Sequence, residues 1–263
     1  MMKEEDKFSD STLLEGMTSL RAALRGIERK VSDRRILRVF YAKERKKKLV
    51  RDLAFLNSVK SSFGFDLLET SLSEIEARAI GTSHGGVISE CSERHFPDLE
   101  ASLDQISPTG FYVMLEGIED PYNFGYALRS LYAAGVDGII LGPRNWMSAA
   151  GVVARASAGA SELFPVYIAD PTEAARTFHE IGYRIVCADI RTEHLLEETE
   201  IPYPVLLVVG GERRGISRTV LDLADLKVRI SYGRDFHASL SAASAATILS
   251  YEIFRQNRKN SLK

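Results

Sequence analysis

Short apolar segments rich in β-branched residues alternate along the chain with longer stretches of helical periodicity. This alternation is typical of α/β proteins whose strands are mainly parallel. In the first part of the chain it predicts helices near 11–28, 45–60 and 72–79 and strands at 36–41, 65–68 and 86–89. A segment without clear periodicity follows from His95 to Gly110, and loops of that length are often linkers.

The alternation is stronger in the second part of the chain. The predicted strands are 112–116, 138–141, 165–168, 184–188, 205–209 and 226–230. The predicted helices are 123–134, 148–157, 172–181, 217–223 and 239–256. In the last helix, apolar residues recur at the spacing of one helix face, namely Leu240, Ala243, Ile248, Tyr251 and Phe254.

The length of 263 residues exceeds the roughly 100–150 residues of a typical single domain. Together with the aperiodic segment, this length predicts a small α/β domain at 1–95, a linker at 96–110 and a second α/β domain at 111–263. We see no internal repeat and no low-complexity tract.

Charge is distributed unevenly along the chain, although the net charge is only −2. Residues 1–60 contain 16 of the 34 Lys and Arg residues but 9 of the 36 Asp and Glu residues. A basic end on an otherwise acidic chain indicates a polyanionic ligand, although a charge run is also what a solvated helix face shows. The candidate phosphate-binding residues in this tract are Arg34, Arg35, Arg38, Lys46, Lys47 and Lys48.

Several classes of protein do not fit the sequence. No apolar run approaches the roughly 20 residues needed to span a bilayer, and the first ten residues are too acidic and polar for a signal peptide. We therefore expect a cytoplasmic protein without a membrane partner. Two cysteines are too few for a disulfide framework, and Cys91 with His95 is the closest metal-ligand pair, without a second pair to complete a site. No metal is expected.

Three segments of the second part end a predicted strand and begin a helix with small or polar residues. The first runs from Glu116 to Arg129. Asn123 is a plausible helix N-cap, and Arg129 lies six residues later on the same helix. Taken alone, this segment also fits a capped helix with a solvated arginine.

In the second segment, the apolar strand at 205–209 runs into Gly-Gly-Glu-Arg-Arg-Gly at 210–215. Glycines let backbone groups approach a ligand closely, which suits the edge of an adenine or a ribose. The segment contains neither G-x-G-x-x-G nor Gly-Lys-Ser/Thr, so a dinucleotide site and a P-loop are both disfavoured. A structural turn remains the alternative.

In the third segment, a polar loop from Ile230 leads into a helix start crowded with Ser and Ala. The first turn of a helix offers free N–H donors. Ser239 could also be an ordinary N-cap.

The order and spacing of the three segments resemble the three motifs of the SPOUT superfamily, specifically of the TrmH-like RNA 2′-O-ribose methyltransferases. The resemblance covers about 111–257. The matching positions are Asn123, Gly125 and Arg129 in the first motif, Gly210, Glu212 and Gly215 in the second, and Ser239 and Leu240 in the third. The third motif departs from the family's Ser-Leu-Asn-x-Ser, because Ser241 and Ala243 stand at the Asn and second Ser positions.

The resemblance implies a C-terminal SPOUT-type α/β domain with a deep trefoil knot, S-adenosylmethionine as methyl donor, rRNA or tRNA as substrate, and a homodimer. The catalytic positions that it implies are Asn123, Arg129, Glu212 and Ser239. The cofactor-binding positions are Val209, Gly210, Gly211, Gly215, Ile230 and Leu240. Many family members also carry a small N-terminal α/β domain similar to RNA-binding ribosomal proteins, and the turn at His84-Gly85-Gly86 sits where such domains place a His-x-Gly turn.

The chemistry leaves alternatives open. An arginine stays protonated, with a pKa above about 12, so we interpret Arg129 as an anchor for a phosphate or an oxyanion and leave its role as a base open. A second hypothesis is an RNA-binding protein of the same fold without methyl transfer, which the departures at Ser241 and Ala243 permit. A third is a nucleotide-dependent enzyme of the doubly wound type, which lacks its glycine fingerprint here.

Overall fold

The computed structural model describes residues 12–143 and 145–260. The chain forms two compact units. The first comprises the chain up to His95 together with Trp146–Leu163, and the second comprises Phe96–Asn145 and Phe164 onward.

The strands and helices of the described residues are numbered in chain order. The strands are β1 (Leu13–Glu15), β2 (Ile36–Ala42), β3 (Asp66–Thr70), β4 (Val87–Cys91), β5 (Phe111–Glu116), β6 (Gly138–Leu141), β7 (Val166–Ile168), β8 (Arg184–Ala188), β9 (Val205–Gly210) and β10 (Leu226–Val228). The helices are α1 (Gly16–Glu28), α2 (Val50–Phe63), α3 (Leu72–Arg78), α4 (Pro121–Ala133), α5 (Ala150–Ala156), α6 (Pro171–Glu180), α7 (Arg218–Asp222) and α8 (Ala242–Asn260).

The first unit is built on a mixed sheet of order β1-β4-β2-β3, in which β4 runs antiparallel to both neighbours and β2 runs parallel to β3. Leu20 of α1 and Leu56 of α2 are fully buried in its core with Val39 of β2. Ala154 of α5 belongs to the same core. The predicted division at 111–263 therefore differs from the structure, because the segment at 146–163 packs with the first unit.

Two ion pairs in the first unit explain why this segment belongs there. The Arg34 guanidinium donates to the Glu162 carboxylate at 3.0 Å, with both side chains at most 1% exposed. The Glu15 carboxylate accepts from Arg155 at 2.6 Å and from the Ile80 N–H at 2.6 Å. Moving the segment away would leave buried charges without their partners, which costs several kcal/mol. These pairs therefore hold the segment in the first unit.

The second unit is a fully parallel sheet of order β10-β8-β9-β5-β6-β7. Along β9, Leu206 and Val208 pack in a core with Phe178 of α6, and the alternate residues Leu207 and Val209 are equally buried. Burial of both faces is what parallel strands with near-continuous apolar sequence require. Helix α8 packs against β9 and α4. An α/β fold with mainly parallel strands is confirmed for this unit.

The predicted linker at 96–110 also differs from the structure. It contains a 3-10 helix at Glu100–Gln105, and Leu99 and Ile106 are buried in the core of the second unit. The Leu99 N–H donates to the carbonyl of Ile168 at 3.0 Å. This segment is therefore the start of the second unit.

Most predicted elements lie where the periodicity places them, and two coincide in both bounds, 138–141 and 184–188. Within the helix predicted near 11–28, Leu13–Glu15 form a strand and the helix begins at Gly16; Ser11 lies outside the described residues. The helix predicted at 45–60 begins at Val50. Among the described residues, no helix is long and apolar enough to cross a membrane.

Candidate active site

The second unit contains a cavity of about 410 Å³, a size usual for small-molecule sites. It lies beyond the carboxyl ends of β8, β9 and β10, where open parallel sheets bind ligands, and it includes the start of α8. The predicted cofactor positions Val209, Gly210, Gly211, Gly215, Ile230 and Leu240 all line it, as do Glu212 and Ser239.

The turn after β9 is a closed loop that only glycine permits at two positions. A Cβ on Gly210 would lie 2.3 Å from the Gly215 carbonyl carbon, and a Cβ on Gly211 would lie 1.8 Å from the Gly117 oxygen. The Gly211 N–H donates to the Glu116 carbonyl at 2.6 Å, and the Gly215 N–H donates to the Gly211 carbonyl at 3.0 Å. The close approach of these backbone segments therefore requires glycine at 210 and 211, and both residues line the cavity without a side chain.

Asn123 is not the N-cap of α4. Asp120 caps the helix, accepting from the Asn123 N–H at 2.7 Å, and Pro121 occupies the first turn, where its missing N–H costs nothing. The Asn123 side chain is therefore available for another partner.

Glu212 joins the three motifs. Its Oε1 accepts from the Asn123 amide at 3.4 Å and from the backbone N–H of Ala242, the first residue of α8, at 3.0 Å. An unsatisfied N–H at a helix N-terminus carries partial positive charge, so a carboxylate there is stabilised. The structure thus brings together two predicted catalytic residues and the third motif.

The third motif begins its helix later than predicted. The Ser241 hydroxyl accepts from the Ser244 N–H at 3.2 Å, so Ser241, not Ser239, caps α8. Serine and asparagine are about equally good caps, and the departure at 241 preserves this function. Ser239 stays exposed at the cavity, and the Leu240 N–H donates to the Tyr232 hydroxyl at 3.3 Å.

Arg129 does not line this cavity. It is exposed on α4, and within residues 12–143 and 145–260 it has no hydrogen bond or ion pair. Six residues separate it from Asn123, so the two side chains leave the helix in different directions. Of the four predicted catalytic residues, it alone is not brought to the site by this chain.

The sequence did not predict two residues that follow β8 and line the cavity. Asp189 and Arg191 line the cavity and form a bidentate pair with distances of 2.9 and 3.0 Å. The hydrogen bonds from Arg191 lower the pKa of the Asp189 carboxyl. Their position directly after a buried parallel strand is the signal that could have identified them.

Neither cysteine is a nucleophile at neutral pH. Both are buried, and burial raises the pKa of the Cys91 and Cys187 thiols to about 12, whereas attack requires the thiolate. Over the described part of the chain, no group of three or more His, Cys, Asp or Glu residues could hold a metal ion.

The predicted RNA-binding residues lie in the first unit, and one of them needs correction. Arg34 is buried and paired with Glu162, so it is structural and not exposed to a phosphate. The others are exposed: Arg35, Arg38, Lys46, Lys47 and Lys48. Arg38 and Lys46 make surface pairs at 2.6 Å with Glu90 and Glu69.

The comparison with known proteins identifies relatives of this chain. The family model of the SpoU rRNA methylase family matches residues 110–251. A protein of Staphylococcus saprophyticus named for the TrmH family of tRNA/rRNA methyltransferases is 31% identical over 180 residues, covering 66% of this chain and 71% of that protein. A Bacillus subtilis protein of the same family name is 30% identical over 179 residues, covering 66% and 71%.

Solved structures share the fold over nearly the whole chain. A structure described as an RNA 2′-O ribose methyltransferase has a TM-score of 0.72 at 21% identity, covering 97% of this chain and 92% of that one. A Sinorhizobium meliloti rRNA methyltransferase bound to AdoMet has a TM-score of 0.74 at 21% identity, covering 95% and 93%.

Proposed function

The chain belongs to the SpoU rRNA methylase family, and we propose that it transfers a methyl group from S-adenosylmethionine to a ribose 2′-hydroxyl of rRNA or tRNA in the cytoplasm. The observation that carries this proposal is the Glu212 carboxylate, which links Asn123 of the first motif to the start of the third motif at a glycine-walled cavity.

The cavity residues fit S-adenosylmethionine. Gly210 and Gly211 line the cavity without a side chain, which suits close contact between backbone groups and a flat nucleoside. Leu240 and Ile230 supply apolar contacts, and Ser239 supplies a hydroxyl. When bound, the cofactor supplies an electrophilic methyl group on a sulfonium.

The residues of this chain contribute position more than proton transfer. Methyl transfer needs the acceptor hydroxyl in line with the methyl carbon, and holding two reactants in that geometry can supply most of the rate enhancement. Glu212 fixes the Asn123 amide and the first turn of α8, and Ser239 presents its hydroxyl beside that turn. These groups define one face of the acceptor site.

We propose that the protein is a homodimer and that the C-terminal part of each chain forms a trefoil knot. The resemblance of the three motifs to the SPOUT superfamily implies the knot. In support of the dimer, Tyr126 on α4 and Ile248 and Tyr251 on α8 are exposed, and α4 packs against α8.

Arg129 follows Tyr126 by three residues and therefore lies on the same side of α4. In a dimer that covers this face, Arg129 would be presented to the partner, which explains why it can serve catalysis without lining its own chain's cavity. There it would anchor a phosphate or an oxyanion, because it stays protonated.

A charge on the proposed dimer face should separate the protomers. We expect Tyr126→Glu/Tyr251→Glu to be a monomer in light scattering coupled to size exclusion, because burying two unpaired carboxylates costs several kcal/mol each. The control Thr177→Glu, on α6, should leave the mass of the dimer unchanged. A variant that still elutes as a dimer would place the interface elsewhere.

We propose that the first unit captures RNA, as the resemblance to RNA-binding ribosomal proteins implies. Lys47 and Lys48 are exposed just before α2, which begins without a side-chain cap. Cations at that end of a helix are unfavourable for the helix itself, so these lysines do not serve the stability of α2. They are suited to a phosphate ligand.

Lys47→Ala/Lys48→Ala in the full chain should weaken RNA binding. The slope of log affinity against log salt should fall in magnitude by about 1.4, since each phosphate contact on single-stranded RNA contributes about 0.7. Filter binding at several salt concentrations measures this. Arg25→Ala/Lys60→Ala removes the same charge from α1 and α2 of the same unit and should leave the slope unchanged; equal slopes in both variants would contradict the assignment.

Two measurements test the proposed function. Calorimetry with S-adenosylmethionine should show one site per chain, and tritiated methyl transfer to total RNA from a strain lacking this protein should yield 2′-O-methylated nucleotides on digestion. Binding of the cofactor with methylation of a base would overturn the 2′-hydroxyl assignment. Cofactor binding without transfer to any RNA would favour the RNA-binding alternative over the enzyme.

A further inference from the structure

We propose that Arg213 and Arg214, the two adjacent arginines of the loop after β9, bind RNA phosphates at the mouth of the cavity, so that the second unit holds an RNA subsite of its own. The inference rests on the proposed function, because it assumes that the acceptor at this cavity is RNA.

The loop that carries the arginines is closed at its base by hydrogen bonds. Gly211 and Gly215 pair across its base as an isolated β-bridge, and the Gly211 N–H is bound to the Glu116 carbonyl. Glu212 is held by Asn123 and Ala242. Arg213 and Arg214 occupy the tip of this loop, next to Glu212, and both line the cavity.

Neither arginine has a role in holding the fold. Arg213 is 81% exposed and pairs with Glu119 at 3.1 Å, a carboxylate that is itself 45% exposed. Such a surface pair contributes only about 0–1 kcal/mol, and a phosphate can replace it. Arg214 is exposed and has no hydrogen bond or ion pair among residues 12–143 and 145–260. By contrast, the buried Arg34 donates to Glu162 and to the Ser92 carbonyl.

The charge of the cofactor indicates that these arginines serve the other substrate. S-adenosylmethionine carries a sulfonium, an ammonium and one carboxylate, so its net charge is positive. Exposed guanidinium groups at the mouth of the cavity repel such a ligand at long range. RNA has the opposite charge, and a guanidinium binds phosphate oxygens in a bidentate geometry. Two neighbouring arginines match the repeated phosphates of a strand whose ribose must reach the cavity.

The test compares single substitutions in the full-length protein. Tritiated methyl transfer is measured at saturating S-adenosylmethionine while total RNA from a strain lacking this protein is titrated. Arg214→Ala should raise the half-saturating RNA concentration several-fold, and Arg213→Ala/Arg214→Ala about tenfold or more, as expected for lost phosphate contacts. Arg176→Ala, which removes an exposed, paired arginine of α6, should have no effect.

Two further readouts separate this subsite from the cofactor site and from the proposed function. The dissociation constant for S-adenosylmethionine, measured by calorimetry, should stay within about twofold. Arg213→Lys/Arg214→Lys should restore the salt slope and part of the RNA affinity, because lysine binds phosphate as a point charge without the bidentate geometry. In filter binding of the same RNA, the salt slope of the double alanine variant should fall in magnitude by about 1.4.

An unchanged half-saturating RNA concentration and an unchanged salt slope in the double alanine variant would overturn the inference. A large loss of cofactor affinity would also overturn it, since the arginines would then belong to the cofactor site. If the wild-type protein transfers no methyl group to RNA, the proposed function fails, and the salt slope in filter binding still decides whether Arg213 and Arg214 contact phosphates.

Discussion

Glu212→Ala should reduce methyl transfer about a hundredfold or more while the protein stays folded, because a misplacement of about 1 Å at a reacting centre can cost that factor. The substitution removes the acceptor shared by the Asn123 amide and the Ala242 N–H. Both groups then lose their fixed position, and so does the start of α8. The residue is exposed, so no cavity opens in the core.

The measurement is single-turnover methyl transfer to total RNA, with the melting temperature recorded for the same preparations. Glu212→Gln keeps an acceptor oxygen but loses the charge that interacts with the helix N-terminus, so its activity should lie between that of the wild type and that of Glu212→Ala. Glu180→Ala, an exposed carboxylate on α6, is the control and should keep full activity. Near-normal turnover in Glu212→Ala would remove Glu212 from the site.

The sequence predicts the second unit well, because its strands and the cavity residues after β9 can each be identified from neighbouring residues in the sequence. Strands β6 and β8 coincide with their predicted bounds. A short, nearly continuous apolar run is typical of a parallel strand that is buried on both faces. The cavity residues from Val209 to Gly215 also come from one segment. A strand and the glycine-rich turn that follows it therefore predict these cavity residues together, without information from the rest of the chain.

Predictions failed where a partner lies far away along the chain. Arg34 belongs to a basic tract, and nothing nearby in sequence distinguishes it from Arg35. Its partner Glu162 lies 128 residues later.

The predicted start of α8 was wrong for a local reason. Ser239 and Ser241 are both good caps, and only the hydrogen bond to the Ser244 N–H identifies the one that is used.

Arg129 is a residue whose motif position is predicted from the sequence but whose partner is not. Its place in the first motif is clear from the sequence, but its side chain has no partner within the described residues of one chain. The role that we propose for Arg129 depends on a second copy of the chain, so the sequence of one chain does not show which site the residue reaches. The Tyr126→Glu/Tyr251→Glu variant should accordingly lose activity when it loses the dimer.

Breaking the buried pair of the first unit should have the largest effect on stability. Glu162→Ala removes the carboxylate that pairs with the buried Arg34 guanidinium, which also donates to the Ser92 carbonyl. Removing one partner of a buried pair typically costs about 3–5 kcal/mol. We expect the free energy of unfolding of the first unit, followed by circular dichroism in urea, to fall by that amount.

The same pair decides between a structural and an RNA-binding role for Arg34. Arg34→Ala should lower the free energy of unfolding by a comparable amount, because it leaves the Glu162 carboxylate buried without its cation. Arg38→Ala, whose pair with Glu90 is at the surface, should cost at most about 1 kcal/mol. Arg34→Met/Glu162→Leu removes both charges together and should recover part of the stability, since apolar replacement of a whole buried pair is often neutral, while the buried Arg94 guanidinium loses its interaction with Glu162. If Arg34→Ala instead weakened RNA binding without lowering stability, the arginine would be a phosphate ligand after all.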